Sequence, residues 1–176
     1  MRLIALSIAA ILAAGAAVAA DSPAAVTVDV KNAAGESLGQ ATISQAPNGV
    51  LARFQLKGLT PGWHGLHFHE KGDCSKADFT SAGGHVHDKA TIVHGLLNPD
   101  ANDSGDLPNL YAGADGTATA EVFTPYVTLS GSTGRSKLAD ADGSAIVVHA
   151  APDDYRTQPI GGAGARIACG VIAPGA

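Results

Sequence analysis

After its first twenty residues this chain lacks any apolar run of the roughly 20 residues that a helix needs to cross a bilayer, so no membrane span is expected in its body. It also lacks a basic stripe. Eleven lysines and arginines stand against 16 acids, a net charge of −5, and a nucleic-acid partner is not expected. The 3.6-residue apolar period of amphipathic helices is missing too, which argues against a helical bundle. Cysteine is limited to Cys74 and Cys169.

The one long apolar run is at the start. Arg2 is followed by Leu3 to Leu12 and then by the small residues "AAGAAVAA" before Asp21. That order predicts a secretory signal peptide over residues 1–20, cleaved after Ala19 or Ala20, and one domain over 21–176. Loss of Arg2 makes the exported chain one unit more negative. In an oxidising compartment two cysteines predict one disulfide, with two free thiols as the less favoured alternative.

What the remainder has in abundance is alternation with period two. "VTVDV" puts Val26, Val28 and Val30 on one face. "VLARFQLKG" does so with Val50, Ala52, Phe54 and Leu56, and "TATAEVF" with Ala118, Ala120 and Val122. "SAIVVHA" reads as a buried strand and "ARIACGVI" as a last one, with turns at "NAAGE", "APNG", "TPG", "ADGT" and "ADGS". The expected fold is all-β, an antiparallel Greek-key sandwich or barrel of about eight strands. Two stretches break the rhythm: an irregular one from Lys71 to Tyr111 and a Gly-rich one from Pro152 to Gly164. A loop as long as the first is unusual unless it is functional or disordered.

Chemistry concentrates around that loop. "HGLHFHEKGDC" holds His64, His67 and His69, three of seven histidines in six positions. In a strand, His67 and His69 face the same way and aim at one point. Imidazole suits copper, zinc, iron and nickel alike, so the pair does not name a metal. Downstream come His85, His87, His94, Asp106 and His149.

With these residues the chain resembles the copper/zinc superoxide dismutases, in their exported bacterial form. The resemblance rests on "HGLHFHEKGDC", "AGGH", "HG" at 94–95, "GDLPNL", "GSAIVVHA", "DD" at 153–154 and "GGAGARIACGVI", in the family's order. It implies copper and zinc as cofactors and superoxide as substrate, disproportionated to dioxygen and hydrogen peroxide by copper redox cycling. It implies His67, His69, His85 and His149 as copper ligands, His85 being shared with zinc, and His94 and Asp106 as further zinc ligands. It makes Asp153 the match of the carboxylate that links a copper histidine to a zinc histidine. It also implies that Arg166 lies beside copper at the channel mouth, and that the disulfide Cys74–Cys169 anchors the loop to the strand bearing it. His64 takes a structural place, and Trp63 and Phe68 are expected to pack. Lys71, Lys76 and Lys89 are weak candidates for steering the anion. The resemblance to bacterial members implies the periplasm; monomer and homodimer both stay open.

The chain departs from the family at one position. A third zinc histidine is normal three residues before the zinc aspartate, and here Asp103 stands there. Asp103 is the first candidate to complete the zinc set, and His87 the second. Two rivals remain: a non-catalytic copper-binding or buffering protein, and a copper-only dismutase on the same scaffold.

Overall fold

The computed structural model describes residues 24–131 and 134–175; the expected signal peptide, 1–20, lies outside them. Among the described residues there are eleven strands: β1 (Ala25–Asn32), β2 (Ser37–Ala46), β3 (Gly49–Leu56), β4 (Gly62–His64), β5 (Leu66–His69), β6 (Leu110–Ala112), β7 (Ala118–Thr124), β8 (Val127–Thr128), β9 (Ser136–Lys137), β10 (Ser144–His149) and β11 (Arg166–Ile172). Seven form one sheet in the order β5-β10-β11-β1-β2-β3-β7, antiparallel throughout. The rest make two small pairs, β4 with β6 and the parallel β8 with β9. No helix among them is long and apolar enough to cross a membrane. The strand count exceeds the expected eight because four of the eleven are two or three residues long.

Seven strands at about 4.8 Å spacing would hold β5 and β7 some 29 Å apart if the sheet were flat. Instead Leu66 and Phe68 of β5 and Ala118 of β7 belong to one apolar core. The sheet therefore curls. The gap between its edges is spanned by β6, which pairs with β4 and packs against β7.

The alternations in β1, β3 and β7 give the expected inward faces, with Val28, Val30, Val50, Ala52, Phe54, Leu56 and Ala118 buried. The longest strand, β2, is not among those expected from the sequence. Its alternation slips because Val30 pairs with Gly39 and Lys31 with Ser37, leaving Leu38 as a bulge.

β10 is buried on both faces, as its unbroken apolar run implies. Ile146 and Val148 face the main core. Ala145 and Val147 face a second cluster with Phe79, Ala82 and Cys169. That cluster lies under the long loop, which contains only one 3-10 turn, Thr80–Ala82, between β5 and β6. The disulfide between Cys74 and Cys169 is formed, with Cα atoms 5.9 Å apart.

Candidate metal centre

The site is built on the outer face of the curled sheet. In β5, Leu66 and Phe68 point into the core, so His67 and His69 point out. β10 pairs with β5 so that His69 lies opposite Ala145 and His67 opposite Val147, which sets His149 on the same outer face. The free edge of β5 is then paired by the long loop. Phe68 N–H donates to Gly105 O at 2.9 Å, and Val86 N–H and Glu70 N–H donate to Phe68 O and Gly84 O, each also at 2.9 Å. This addition sets His85 beside His69 and Asp106 beside His67. Gly105 is required at the crossing, since a Cβ there would strike Phe68 O and Val86 N.

Each outer-face imidazole uses one nitrogen on the protein. His67 Nε2 is 2.8 Å from Asp153 Oδ2, His69 Nδ1 is 3.0 Å from Gly83 O, His149 Nδ1 is 3.1 Å from Gly164 O, and His85 Nδ1 is 2.7 Å from Asp103 Oδ2. The carbonyl partners make Nδ1 the N–H of His69 and His149, so the other nitrogen carries a lone pair. Among the described residues five buried side-chain N or O atoms have no partner, and four of them are His67 Nδ1, His69 Nε2, His85 Nε2 and His149 Nε2. These residues offer ligand atoms within 4.8 Å of one another. Buried polar atoms left unpaired are costly, so four that converge make a donor set able to hold a cation. Burial lowers the pKa of His67 and takes His69 to about 2 and His149 to about 3, helped by neighbouring histidines, so these rings are neutral, the form that binds metal.

A second group adjoins the first through His85. Asp106 Oδ1 is 2.6 Å from His94 Nδ1 and 3.4 Å from His85 Nδ1. Asp103 Oδ2, at 2.7 Å from His85 Nδ1, is 3.8 Å from His94 Nδ1. The other oxygen of each carboxylate is fixed by a backbone N–H, from Gly95 to Asp106 at 2.7 Å and from Gly105 to Asp103 at 3.0 Å. Two imidazole nitrogens and two carboxylate oxygens thus meet at one place, a donor set that suits zinc. His67 also lies within reach of His85, His94 and Asp106, but its Nε2 is taken by Asp153 and its Nδ1 faces the first group.

Burial alone would lower the His94 pKa, but the carboxylates of Asp103, Asp106 and Asp153 raise it to about 11, and those of Asp103 and Asp106 likewise raise His85. Against burial, His85 and His94 hold Asp103 and Asp106 below their ordinary range, and His67 and His94 do the same for Asp153. In the metal-free protein these histidines therefore hold protons, which a cation binding at this second group would have to displace.

The other sequence-derived candidates fall into place or outside it. Asp153 spans the two groups, its Oδ1 3.1 Å from His94 Nε2 and its Oδ2 on His67. Arg166 donates from Nη1 to Phe79 O at 2.6 Å and from Nη2 to Gly83 O at 2.7 Å. Gly83 O thus accepts from both Arg166 and His69. Phe79 itself has φ 55, a left-handed conformation held by the burial of its ring in the second cluster. His87 joins neither group; its Nδ1 bonds His85 O at 2.7 Å. His64 bridges backbone, with Nδ1 2.7 Å from His149 O and Nε2 2.8 Å from Thr60 O. Phe68 is core, but Trp63 is not: it is 56% exposed and packs at a tilt against Tyr111, because β4 is covered on one side only. Lys71, Lys76 and Lys89 are exposed.

Sequence reasoning missed the main-chain acceptors and the amides. Asn109 Nδ2 donates to Asp153 O and its Oδ1 accepts from Asp153 N–H, both at 2.8 Å. Its place in "GDLPNL" was visible, but no spacing points to a partner 44 residues on.

Comparison with known proteins agrees with this geometry. The family model described as copper/zinc superoxide dismutase matches residues 37–172. The "Superoxide dismutase [Cu-Zn]" of Caulobacter vibrioides is 67% identical over 146 residues, covering 83% of this chain and 84% of that protein. The crystal structure of a SOD-like protein from Bacillus subtilis superposes with a TM-score of 0.77 at 36% identity, over 83% of this chain and 97% of the other. The Cu/Zn superoxide dismutase of Brucella abortus superposes at 0.68 with 34% identity, over 85% and 99%.

Proposed function

The chain belongs to the copper/zinc superoxide dismutases, and from that premise we propose a role for each residue of the two histidine groups. The activity is that of the family: two superoxide anions and two protons become dioxygen and hydrogen peroxide, with copper and zinc as cofactors. His67, His69, His85 and His149 would hold copper through their unpartnered ring nitrogens. His85 and His94, with Asp103 and Asp106, would hold zinc. The observation that carries this reading is the convergence of four buried, unpartnered ring nitrogens.

When bound, copper supplies the one-electron couple that oxidises one superoxide and reduces the next, and zinc supplies fixed positive charge without redox. His85 faces both groups, and its Nε2, whenever it is not donating to copper, would be the atom at which this chain holds and delivers a proton beside the substrate. Asp103, Asp106 and Asp153 fix the ring planes. Arg166 orients the anion. Two of its five N–H donors are tied to Phe79 O and Gly83 O, which leaves the rest of the planar fork for a small anion. Asp103 in a position where a neutral histidine is usual lowers the site's positive charge by one unit.

The complete second donor group favours a zinc-containing enzyme over a copper-only one. Export is supported by the leader pattern of residues 1–20, and the periplasm by likeness to bacterial relatives. The decisive test is metal content together with superoxide consumption for the wild type and His149→Ala. One copper and one zinc per chain, with copper and activity both lost in the variant, is expected. Full activity in His149→Ala overturns the assignment.

A further inference from the structure

His94 differs from the other histidines of the two groups in how its main chain is held. His67 and His69 lie in β5, His149 in β10, and His85 is bridged to β5. His94 belongs to no strand, so its N–H and C=O need partners from elsewhere. One side chain reaches both, and Asn98 Nδ2 adds only a longer bond to His94 O, at 3.3 Å. His94 N–H donates to Gln158 Oε1 at 2.9 Å, and Gln158 Nε2 donates to His94 O at 2.8 Å. The amide stands in for a neighbouring strand. Gln158 Nε2 also donates to Arg156 O at 3.1 Å, which ties the amide to its own loop.

That loop begins at Asp153. Its carboxylate holds the ring of His94 at Nε2 and the ring of His67 at Nε2. The segment from Asp153 to Gln158 therefore grips His94 at two ends, the ring through one residue and the peptide through the other. His94 Nδ1 meets Asp106 Oδ1 at 2.6 Å, so Nδ1 stays aimed at Asp103 and Asp106 only while the peptide that carries the ring stays in place. The hold of Gln158 on that peptide keeps it there. We infer that Gln158 is a positioning residue for the zinc half of the site, fixing His94 through its main chain without touching either metal.

The exposure of Gln158 sharpens this inference. Water replaces the lost hydrogen bonds of an exposed amide at little net cost, so truncation costs the fold little. What water does not replace is the alignment. The copper group makes no bond to Gln158, and His67 keeps its bond to Asp153.

The inference rests on the zinc assignment above, and the test separates the two. Metal-free wild type, Gln158→Ala, Gln158→Glu and His94→Ala are titrated with zinc against a competing chelator, and in parallel with copper. Cobalt(II) added in place of zinc gives a spectrum sensitive to ligand geometry. Gln158→Glu keeps the acceptor for His94 N–H, nearly preserves shape and loses the donor to His94 O. Both Gln158 variants are expected to bind zinc about tenfold more weakly, the low end for residues that orient a ligand. Their cobalt bands shift, while copper affinity and the urea midpoint of the metal-free protein stay at wild-type values. Wild-type zinc affinity and cobalt bands in both variants overturn the inference and leave the zinc assignment standing if His94→Ala has lost zinc. Parallel losses of zinc, copper and urea midpoint overturn it in favour of a general fold staple. Unchanged zinc affinity in His94→Ala overturns both.

Discussion

Asp103 and Arg166 are the two residues whose substitution separates binding from turnover. Asp103 places one oxygen on His85 Nδ1 and anchors the other on Gly105 N–H. Asp103→Ala is expected to weaken zinc by at least about tenfold, with copper affinity little changed, whereas His87→Ala leaves zinc unchanged. Chelator competition checks both. Arg166 touches no group that holds metal by its side chain. Arg166→Ala is expected to keep both metals and to lose superoxide consumption by about tenfold or more at low salt, as for loss of a steering charge. The deficit should narrow as ionic strength rises, because screening also removes the wild type's advantage. Stopped-flow decay of superoxide at several salt concentrations measures it. At this scale the sequence was informative where a side chain's own chemistry selects it: every histidine of the two groups was nameable in advance. It was silent on Gly83 O, Gly164 O and Phe79 O, because a carbonyl belongs to every residue and only folding decides which one accepts.

The elements decide which way those side chains point. Strict alternation in β11, counted from the outward Cys169, would turn Ile167 out and Arg166 into the core. The register shift between Val148 and His149 pairs His149 with Arg166 and skips Ile167. Ile167 then packs against the main core, and Arg166 reaches the loop outside. A bulge has no sequence signature strong enough to have been anticipated here. The loop that receives Arg166 is pinned by Cys74–Cys169, which closes 95 residues of chain. Cys74→Ser with Cys169→Ser is expected to lower stability by up to about 4–5 kcal/mol in the chain-entropy model. Activity should fall beyond what the unfolded fraction explains, because Phe79 O and Gly83 O lose their anchorage. Urea unfolding and specific activity, both on metal-loaded protein, separate the two effects. Gly161, at φ +59, marks a second constraint on an element: a Cβ there would collide with the Asp153 carboxylate. Gly161→Ala is expected to weaken zinc and copper together, since Asp153 bonds both His94 and His67.

For the whole molecule the consequence of clustering so many buried titratable groups is a pH-dependent fold in the absence of metal. His69 and His149 titrate near 2 and 3 when folded but near 6.5 when unfolded. The folded state binds fewer protons between those limits, so their share of stability is intact above 6.5 and drains as pH falls towards 3. His94 is opposite in sign, raised to about 11 from 6.5, and its share is intact below 6.5 and drains as pH rises towards 11. Metal-free protein should therefore be most stable near neutrality and weaken on both sides. Metal-loaded protein should show a flatter profile, because cations replace the protons. Urea midpoints from pH 4 to 9 for both forms test this, and a metal-free profile as flat as the loaded one counts against it.

By itself the sequence determined the class of fold and the stock of ligands. Period-two alternation in β1, β3 and β7 and a doubly buried run in β10 are local properties, and so are the identities of the histidines and aspartates. It also carried the disulfide, since only two cysteines were present to pair. Tertiary structure decided between Asp103 and His87 as neighbours of His85 and His94, turned Arg166 outward at a bulge, and recruited Gln158 and Asn109 from loops distant in the chain. These outcomes depend on which residues meet across the fold. Such meetings are set by sheet register and chain crossings, which no stretch of sequence encodes alone.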